Sequence, residues 1–199
     1  MERPRTIHDF YGFPKLLNEK KYPAPGAPEF AQSIQKILGK SRVRTDLDWG
    51  LDHGTWSVLC RMFPSADVPV VQLSLDLRKK PEWHYELAKG LKELRSQGIL
   101  IIGSGNMVHN LGHLSWDESV FDWAQEFDER MKHLILAGDH RAIVNYEDLG
   151  PSAQLAVPTN EHYLPLLYTL GLQEKDDQVS FFAEKVTLGA ISMRSVRLG

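Results

Sequence analysis

Residues 99–110 constrain the fold of this chain more than any other segment. An apolar run ends in a tight Gly-Ser-Gly turn at 103–105, and Asn106, His109 and Asn110 follow directly. The pattern predicts a buried strand over Ile99–Gly103 that delivers an imidazole and two amides to one end of a sheet. Ligands of open α/β sheets bind at the carboxyl ends of strands, so this loop is where we expect chemistry.

A strand–helix–strand order leads into this segment. Val68–Leu75 is apolar on both faces, as in a buried parallel strand, and Pro81–Gln97 carries a leucine stripe at helical spacing. Two strands joined by one helix form a βαβ unit, in which the strands are parallel. The sequence therefore predicts the α/β class: a single domain over residues 1–199 with a mostly parallel central sheet flanked by helices.

The same periodicities predict the remaining elements. We expect helices at Pro28–Leu38, at Thr55–Phe63 with Thr55 as cap, at Ser119–Ala137 with Ser119 as cap, at His140–Asp148 and at Pro158–Leu170, and strands at Val179–Phe182 and Ala190–Val196.

Composition excludes several classes of protein. The net charge of -3 gives no electrostatic basis for binding nucleic acid or an anionic membrane, and no apolar run approaches the roughly 20 residues of a membrane span. The single cysteine, Cys60, excludes an internal disulfide and suits a reducing compartment. The N-terminus lacks the apolar core of a signal peptide. We therefore expect a cytoplasmic protein without nucleic-acid or membrane partners; the sequence leaves its oligomeric state open.

Three histidines in polar or glycine-rich surroundings are candidate site residues. His53 follows Asp52 and precedes Gly54, which favours either a ligand-facing imidazole oriented by Asp52 or an Asp-His turn that caps a helix. His109, six residues beyond a strand end, is either a metal ligand or general base, or a loop histidine bonded to its own turn.

His162 adjoins Glu161 in the predicted first helical turn. A helix N-terminus favours the neutral, metal-binding imidazole, whereas the alternative is a surface pair in which Glu161 complements the helix dipole. A phosphate cradle at Gly103–Asn106 is a weaker alternative for the glycine turn. It lacks both the third glycine of a dinucleotide fingerprint and the lysine of a P-loop.

Six motifs in series resemble one family. They are TIHDFYGFP at 6–14, YPAPG at 22–26, GLDHGTW at 50–56, PVVQLS at 69–74, GSGNMVHNL at 103–111 and PTNEHYLPLL at 158–167. In order and content they resemble the class III extradiol ring-cleavage dioxygenases of the subunit-B type, in the branch similar to 4,5-DOPA extradiol dioxygenase.

The resemblance implies an oxidoreductase that opens the ring of a catechol such as DOPA with O₂ at Fe(II), or at zinc as this branch is often described. It makes His162 a metal ligand and His109 either a metal ligand or the acid/base beside it. It also makes His53 a catalytic pocket histidine that contacts substrate or oxygen. Catechol deprotonation requires a base and O₂ activation requires a metal with open positions, so these residue types suit the chemistry.

The chain also departs from the family pattern. The family begins with strands leading into His-Gly-Ser-Pro and Ser-Ala-His-Trp, whose histidines are metal ligands, and neither motif occurs here. We therefore expect the N-terminal family strands to be absent. Two imidazoles leave a metal site short of three protein ligands, which predicts weak binding of iron or zinc and little activity. The alternative is a non-catalytic remnant or interaction protein with the same fold.

Overall fold

The structure is a computed structural model that describes residues 1–117 and 119–199. The chain divides into two compact units, residues 1–74 and residues 75–199. The prediction of one domain over residues 1–199 stays a prediction. Among the described helices, none combines the length and hydropathy that a membrane crossing requires.

The first unit contains three helices around a small aromatic core. They are α1 (Lys15–Asn18), α2 (Pro28–Leu38) and α3 (His53–Met62). Trp56 of α3 is buried together with Tyr22 and Leu51, and its indole N–H donates to the Ile7 carbonyl at 2.8 Å. Helix α2 begins at its proline and ends before Gly39, as the sequence predicts.

Helix α3 begins two residues earlier than the sequence predicts. The Asp52 carboxylate accepts the Thr55 backbone N–H at 3.0 Å, so Asp52 is the N-cap and Thr55 lies inside the first turn. The prediction of Thr55 as cap is wrong. The Asp52 side chain, three residues upstream of Thr55, accepts this first-turn amide directly.

The second unit is mainly helical. Its helices are α4 (Pro81–Lys89), α5 (Asp122–Ala137), α6 (His140–Val144), α7 (Pro151–Ala156) and α8 (Leu164–Gly171), with 3₁₀ turns at Lys92–Gln97, Leu111–His113 and Tyr146–Leu149. Its core lies between one face of α5, helix α8 and the loop that precedes His109. The buried side chains there include Phe127, Met131, Tyr163, Leu167 and Val108.

Among the described residues of this unit, four short strands form two antiparallel pairs. They are β1 (Val179–Phe182), β2 (Val186–Thr187), β3 (Ile191–Ser192) and β4 (Ser195–Leu198). β1 pairs with β4, and β2 pairs with β3. The predicted strand over Ala190–Val196 is thus divided between β3 and β4, which belong to different sheets.

The predicted parallel pairing is not found within the described residues. Neither Val68–Leu75 nor Ile99–Gly103 forms a ladder there, and Val70 makes only an isolated parallel bridge with Gly26. Leu100 is 64% exposed and Ile102 is 40% exposed, so this apolar run is not buried as predicted. An apolar pattern shows which side chains a segment can bury. A strand also requires a neighbouring strand with which it forms backbone hydrogen bonds.

Three predicted helix boundaries are also wrong. The helix predicted over Pro81–Gln97 changes to a 3₁₀ turn after Lys89. Ser119 does not cap α5, because its backbone N–H and hydroxyl both bond to the Asp117 carboxylate, and α5 begins at Asp122. Helix α8 begins at Leu164 instead of Pro158, since Pro165 fits only in a first turn.

Candidate metal centre

Buried side chains and backbone hydrogen bonds hold the loop that follows the glycine turn. Met107 and Val108 are buried, and the Val108 carbonyl accepts the Ser192 N–H at 3.0 Å. The next residue, His109, donates its backbone N–H to the Ala156 carbonyl at 2.9 Å and bridges to Ile191. These contacts fix the backbone of His109 and leave its ring half-buried at the surface.

The two glycines of the turn allow a close backbone approach. A Cβ added to Gly105 would lie 2.1 Å from the His162 carbonyl oxygen, and one added to Gly103 would lie 2.4 Å from the Pro165 carbonyl oxygen. The turn therefore packs against the segment that carries the second candidate histidine. Carbonyl oxygens cover this face, and they repel a phosphate, so the structure disfavours the phosphate cradle at Gly103–Asn106.

The second histidine lies in a turn just before α8. Residues 161–163 form this turn, so Glu161 and His162 are not inside a helix as predicted. Tyr163 anchors the turn: its ring is fully buried and its hydroxyl donates to the Ile143 carbonyl at 2.8 Å. The turn places the side chains of Glu161 and His162 beside His109.

The rings of His109 and His162 are in contact. They are stacked with 3.5 Å between centroids and 7° between their planes. One ligand atom from each of His109, Glu161 and His162 lies within 4.8 Å of the other two, so the three side chains form one cluster of possible metal ligands. Metal–ligand bonds of about 2.0–2.2 Å place two ligand atoms on one ion roughly 3–4 Å apart, which is inside this 4.8 Å limit.

Burial governs the charge of His109. Desolvation lowers the pKa of this imidazole, and the Glu161 carboxylate raises it by a smaller amount. The ring is therefore neutral at neutral pH, which is the form that binds a metal or accepts a proton. The Thr159 hydroxyl donates to the Glu161 carboxylate at 2.8 Å and holds it beside the two rings.

A cavity adjoins this cluster. Its volume is about 610 Å³, and its lining includes Glu161, Glu147, Tyr146 and Leu77. Burial, more than the nearby Glu147, raises the pKa of the Tyr146 hydroxyl to about 12, so this group stays protonated. Because Glu161 belongs to both the cavity wall and the cluster, a ligand bound at the cluster has room beside it.

His53 lies in the other unit, residues 1–74. Its backbone N–H and its ring Nδ1 both bond to the Asp9 carboxylate, at 3.0 and 2.8 Å. Asp52, which the sequence offered as the orienting group, caps α3 and accepts from Gln72 instead. The capping turn is therefore present, and the carboxylate that orients the imidazole comes from 44 residues upstream.

A family model decides the classification. The model of the catalytic LigB subunit of aromatic ring-opening dioxygenase matches residues 1–199. The chain belongs to the LigB family. The predicted resemblance is confirmed, and membership makes this chain an oxidoreductase of the extradiol dioxygenase type.

Individual relatives agree with this classification. The chain is 44% identical to the 4,5-DOPA dioxygenase extradiol of Escherichia coli K12, over 100% of this chain and 75% of the relative. It is 37% identical to the Beta vulgaris protein of the same name, over 96% of this chain and 73% of the relative. A crystal structure of an uncharacterized Escherichia coli K12 protein superposes with a TM-score of 0.84 at 38% identity, over 99% of this chain and 81% of that chain. This likeness confirms the α/β class.

The donor set fits the metal that a LigB dioxygenase requires. Two imidazoles and one carboxylate are the ligand set of many non-haem Fe(II) oxygenases. Glu161 lies in the cluster as a candidate third donor beside the two imidazoles, and the expectation of an incomplete ligand set stays a prediction. Sequence reasoning assigned Glu161 a role at the helix dipole. The sequence signal that could have identified Glu161 as a candidate ligand is its position next to His162 in a chain that resembles metal dioxygenases.

Proposed function

We propose that this chain cleaves the ring of a catechol with O₂, using a metal held by His109, Glu161 and His162. The observation that carries the proposal is the stacked pair of imidazoles with a carboxylate in reach. His109, Glu161 and His162 would hold Fe(II), which would supply the redox chemistry that O₂ activation needs and would act as a Lewis acid toward the catechol. Zinc also suits these donors, and we propose iron for the oxidative reaction.

The chain's own residues account for substrate binding and proton transfer. If His109 does not bind the metal, its neutral ring is placed to accept a catechol hydroxyl proton. The cavity beside Glu161 accommodates a substituent of the catechol, and its two carboxylates favour a cationic group, such as the ammonium of DOPA. We propose DOPA-like catechols as substrates on this basis and on the names of the relatives.

His53 remains a proposed second catalytic histidine. The Asp9 carboxylate fixes its ring orientation through Nδ1, as in a carboxylate–imidazole pair that moves protons. Substitution His53→Gln is expected to lower kcat at least tenfold while metal content stays unchanged. Unchanged kcat would contradict a catalytic role for His53.

A metal titration with O₂ uptake tests the proposal. Anaerobically purified protein is loaded with Fe(II), iron is counted, and O₂ uptake is recorded with catechol, dopamine and L-DOPA. We expect one iron per chain and catechol-dependent O₂ uptake, with Glu161→Gln and His162→Ala each losing iron. The exposed His133 of α5 gives the matched control His133→Ala, which should behave like the parent.

His109→Ala separates its two proposed roles. Lost iron identifies a ligand, whereas retained iron with lost turnover identifies a base. A protein that binds no iron, or binds it without O₂ uptake, would contradict the proposal and favour the non-catalytic alternative. The same titration measures whether metal binding is weak, which stays a prediction.

A further inference from the structure

The side-chain amide of Asn106 has a defined orientation. Its Nδ2 donates to the Ser192 carbonyl at 2.8 Å, and its Oδ1 faces His162 Nδ1 at 3.1 Å. A carbonyl oxygen only accepts hydrogen bonds, so the amide nitrogen must face Ser192 and the amide oxygen must face the ring. An amide oxygen also only accepts. The ring nitrogen Nδ1 of His162 must therefore carry the proton.

The backbone reinforces this contact. The Asn106 N–H donates to the His162 carbonyl at 2.8 Å, so one residue binds both the main chain and the ring of His162. The backbone bond holds the two segments together, and the side-chain bond orients the ring. In a neutral imidazole with the proton on Nδ1, the lone pair is on Nε2.

The partner of the amide is itself anchored in the core. The Ser192 hydroxyl donates to the Asp128 carboxylate, and Asp128 binds the Arg194 guanidinium at 2.7 and 2.8 Å. All three residues are buried, and Asp128 belongs to α5. The Ser192 carbonyl is thus a fixed acceptor, and a flipped Asn106 amide would face it with its own oxygen.

We propose that Asn106 is a positioning residue that sets the tautomer of His162, with the proton on Nδ1 and the metal-binding lone pair on Nε2. Partners of this kind orient metal-bound histidines in many proteins. The tautomer assignment stands on the hydrogen bonds alone. Its consequence for metal binding rests on the proposed function.

Long-range ¹H–¹⁵N NMR of the metal-free protein tests the assignment. At about pH 8.5 ordinary histidines are neutral, and the spectrum distinguishes a proton on Nδ1 from one on Nε2. We expect His162 in the parent protein to carry its proton on Nδ1. A proton on Nε2 in the parent would overturn the proposal without requiring any variant.

Variants then test the cause. In Asn106→Ala the ring should shift toward the Nε2–H form that imidazole favours in water. Asn106→Asp keeps an oxygen acceptor for Nδ1–H and should restore the Nδ1–H form, although its carboxylate faces the Ser192 carbonyl. The exposed Asn145 supplies the control Asn145→Ala, which should leave the tautomer unchanged. An unchanged tautomer in Asn106→Ala would overturn the proposal.

A zinc titration distinguishes this inference from the proposed function. We expect Asn106→Ala to weaken zinc binding roughly 10–100-fold, with Asn106→Asp closer to the parent. If Asn106→Ala changes the tautomer but zinc affinity stays the same, Asn106 sets the ring as proposed and His162 is not a ligand. That result contradicts the proposed metal site and supports the positioning role.

Discussion

Substitution Gly105→Ala tests the packing that brings the two histidines together. The new Cβ would lie 2.1 Å from the His162 carbonyl oxygen, whereas ordinary C···O contacts are about 3.3 Å or longer. Both atoms belong to backbone or are fixed to it, so the two segments must separate by roughly 1 Å. This separation also breaks the bond from the Asn106 N–H to that carbonyl.

The magnitude follows from two costs and one gain. Overpacking costs about 1–3 kcal/mol, and an amide left without its acceptor costs about 1–3 kcal/mol. The reduced entropy of the unfolded chain returns about 0.4–1 kcal/mol, since the φ of Gly105 is not positive. We expect the free energy of unfolding to fall by about 1–6 kcal/mol, and zinc affinity to fall with it because His162 moves.

Urea denaturation and zinc titration measure the two effects. With an m-value of about 2 kcal/mol/M, the midpoint should fall by roughly 0.5–3 M. Gly112→Ala is the matched control, because its Cβ would meet only the Asn110 Oδ1 atom at 3.3 Å, and we expect a change under about 1 kcal/mol. If Gly105→Ala matched this control in both midpoint and zinc affinity, the packing argument would be refuted.

Three other perturbations have expected outcomes. Asp128→Asn leaves the buried Arg194 guanidinium short of its main partner, and calorimetry should show about 3 kcal/mol of lost stability; a loss under 1 kcal/mol would contradict this. Arg95 lowers the pKa of Asp177, so this pair stabilises the fold above pH ~4, and the contribution disappears as pH falls through the folded-state pKa. Asp177→Asn should therefore cost about 1–3 kcal/mol at pH 7 and little at pH 2, which urea titrations at both values would check. Because burial lowers the pKa of His109, its NMR titration midpoint should lie below the ordinary ~6.5, and a midpoint at or above that value would contradict the effect of burial on this ring.

Local rules predicted several elements of the fold correctly. Pro28 and Gly39 mark the ends of α2, and Val179–Phe182 forms β1 with the predicted bounds. These signals succeed because a proline at a helix start and a glycine after its end act through their own backbone geometry. The predicted start of α8 at Pro158 is wrong. Proline fits only in the first turn of a helix, so Pro165 requires a later start than the capping pattern at 158 suggests.

Strand pairing and side-chain partners could not be predicted from the local sequence patterns. The apolar run at 99–102 predicts burial, yet Leu100 and Ile102 are exposed, and the described ladders are antiparallel and elsewhere. Likewise, Asp9 orients His53 although Asp52 is its neighbour in sequence. Partners of this kind depend on contacts between distant segments, which a single sequence does not encode in any local period.

The sequence by itself determined the family, the identity of the two histidines and the glycine turn before His109, because these are properties of residue type and order. Only the tertiary structure decided that His109 and His162 stack, that the Glu161 carboxylate lies within reach of both rings and that Asn106 bonds to the ring of His162. Each of these relations joins segments about 50 residues apart in the printed sequence. The turn at 103–105 packs against the segment before α8, and this packing brings the residues into contact. No local rule of sequence specifies that packing.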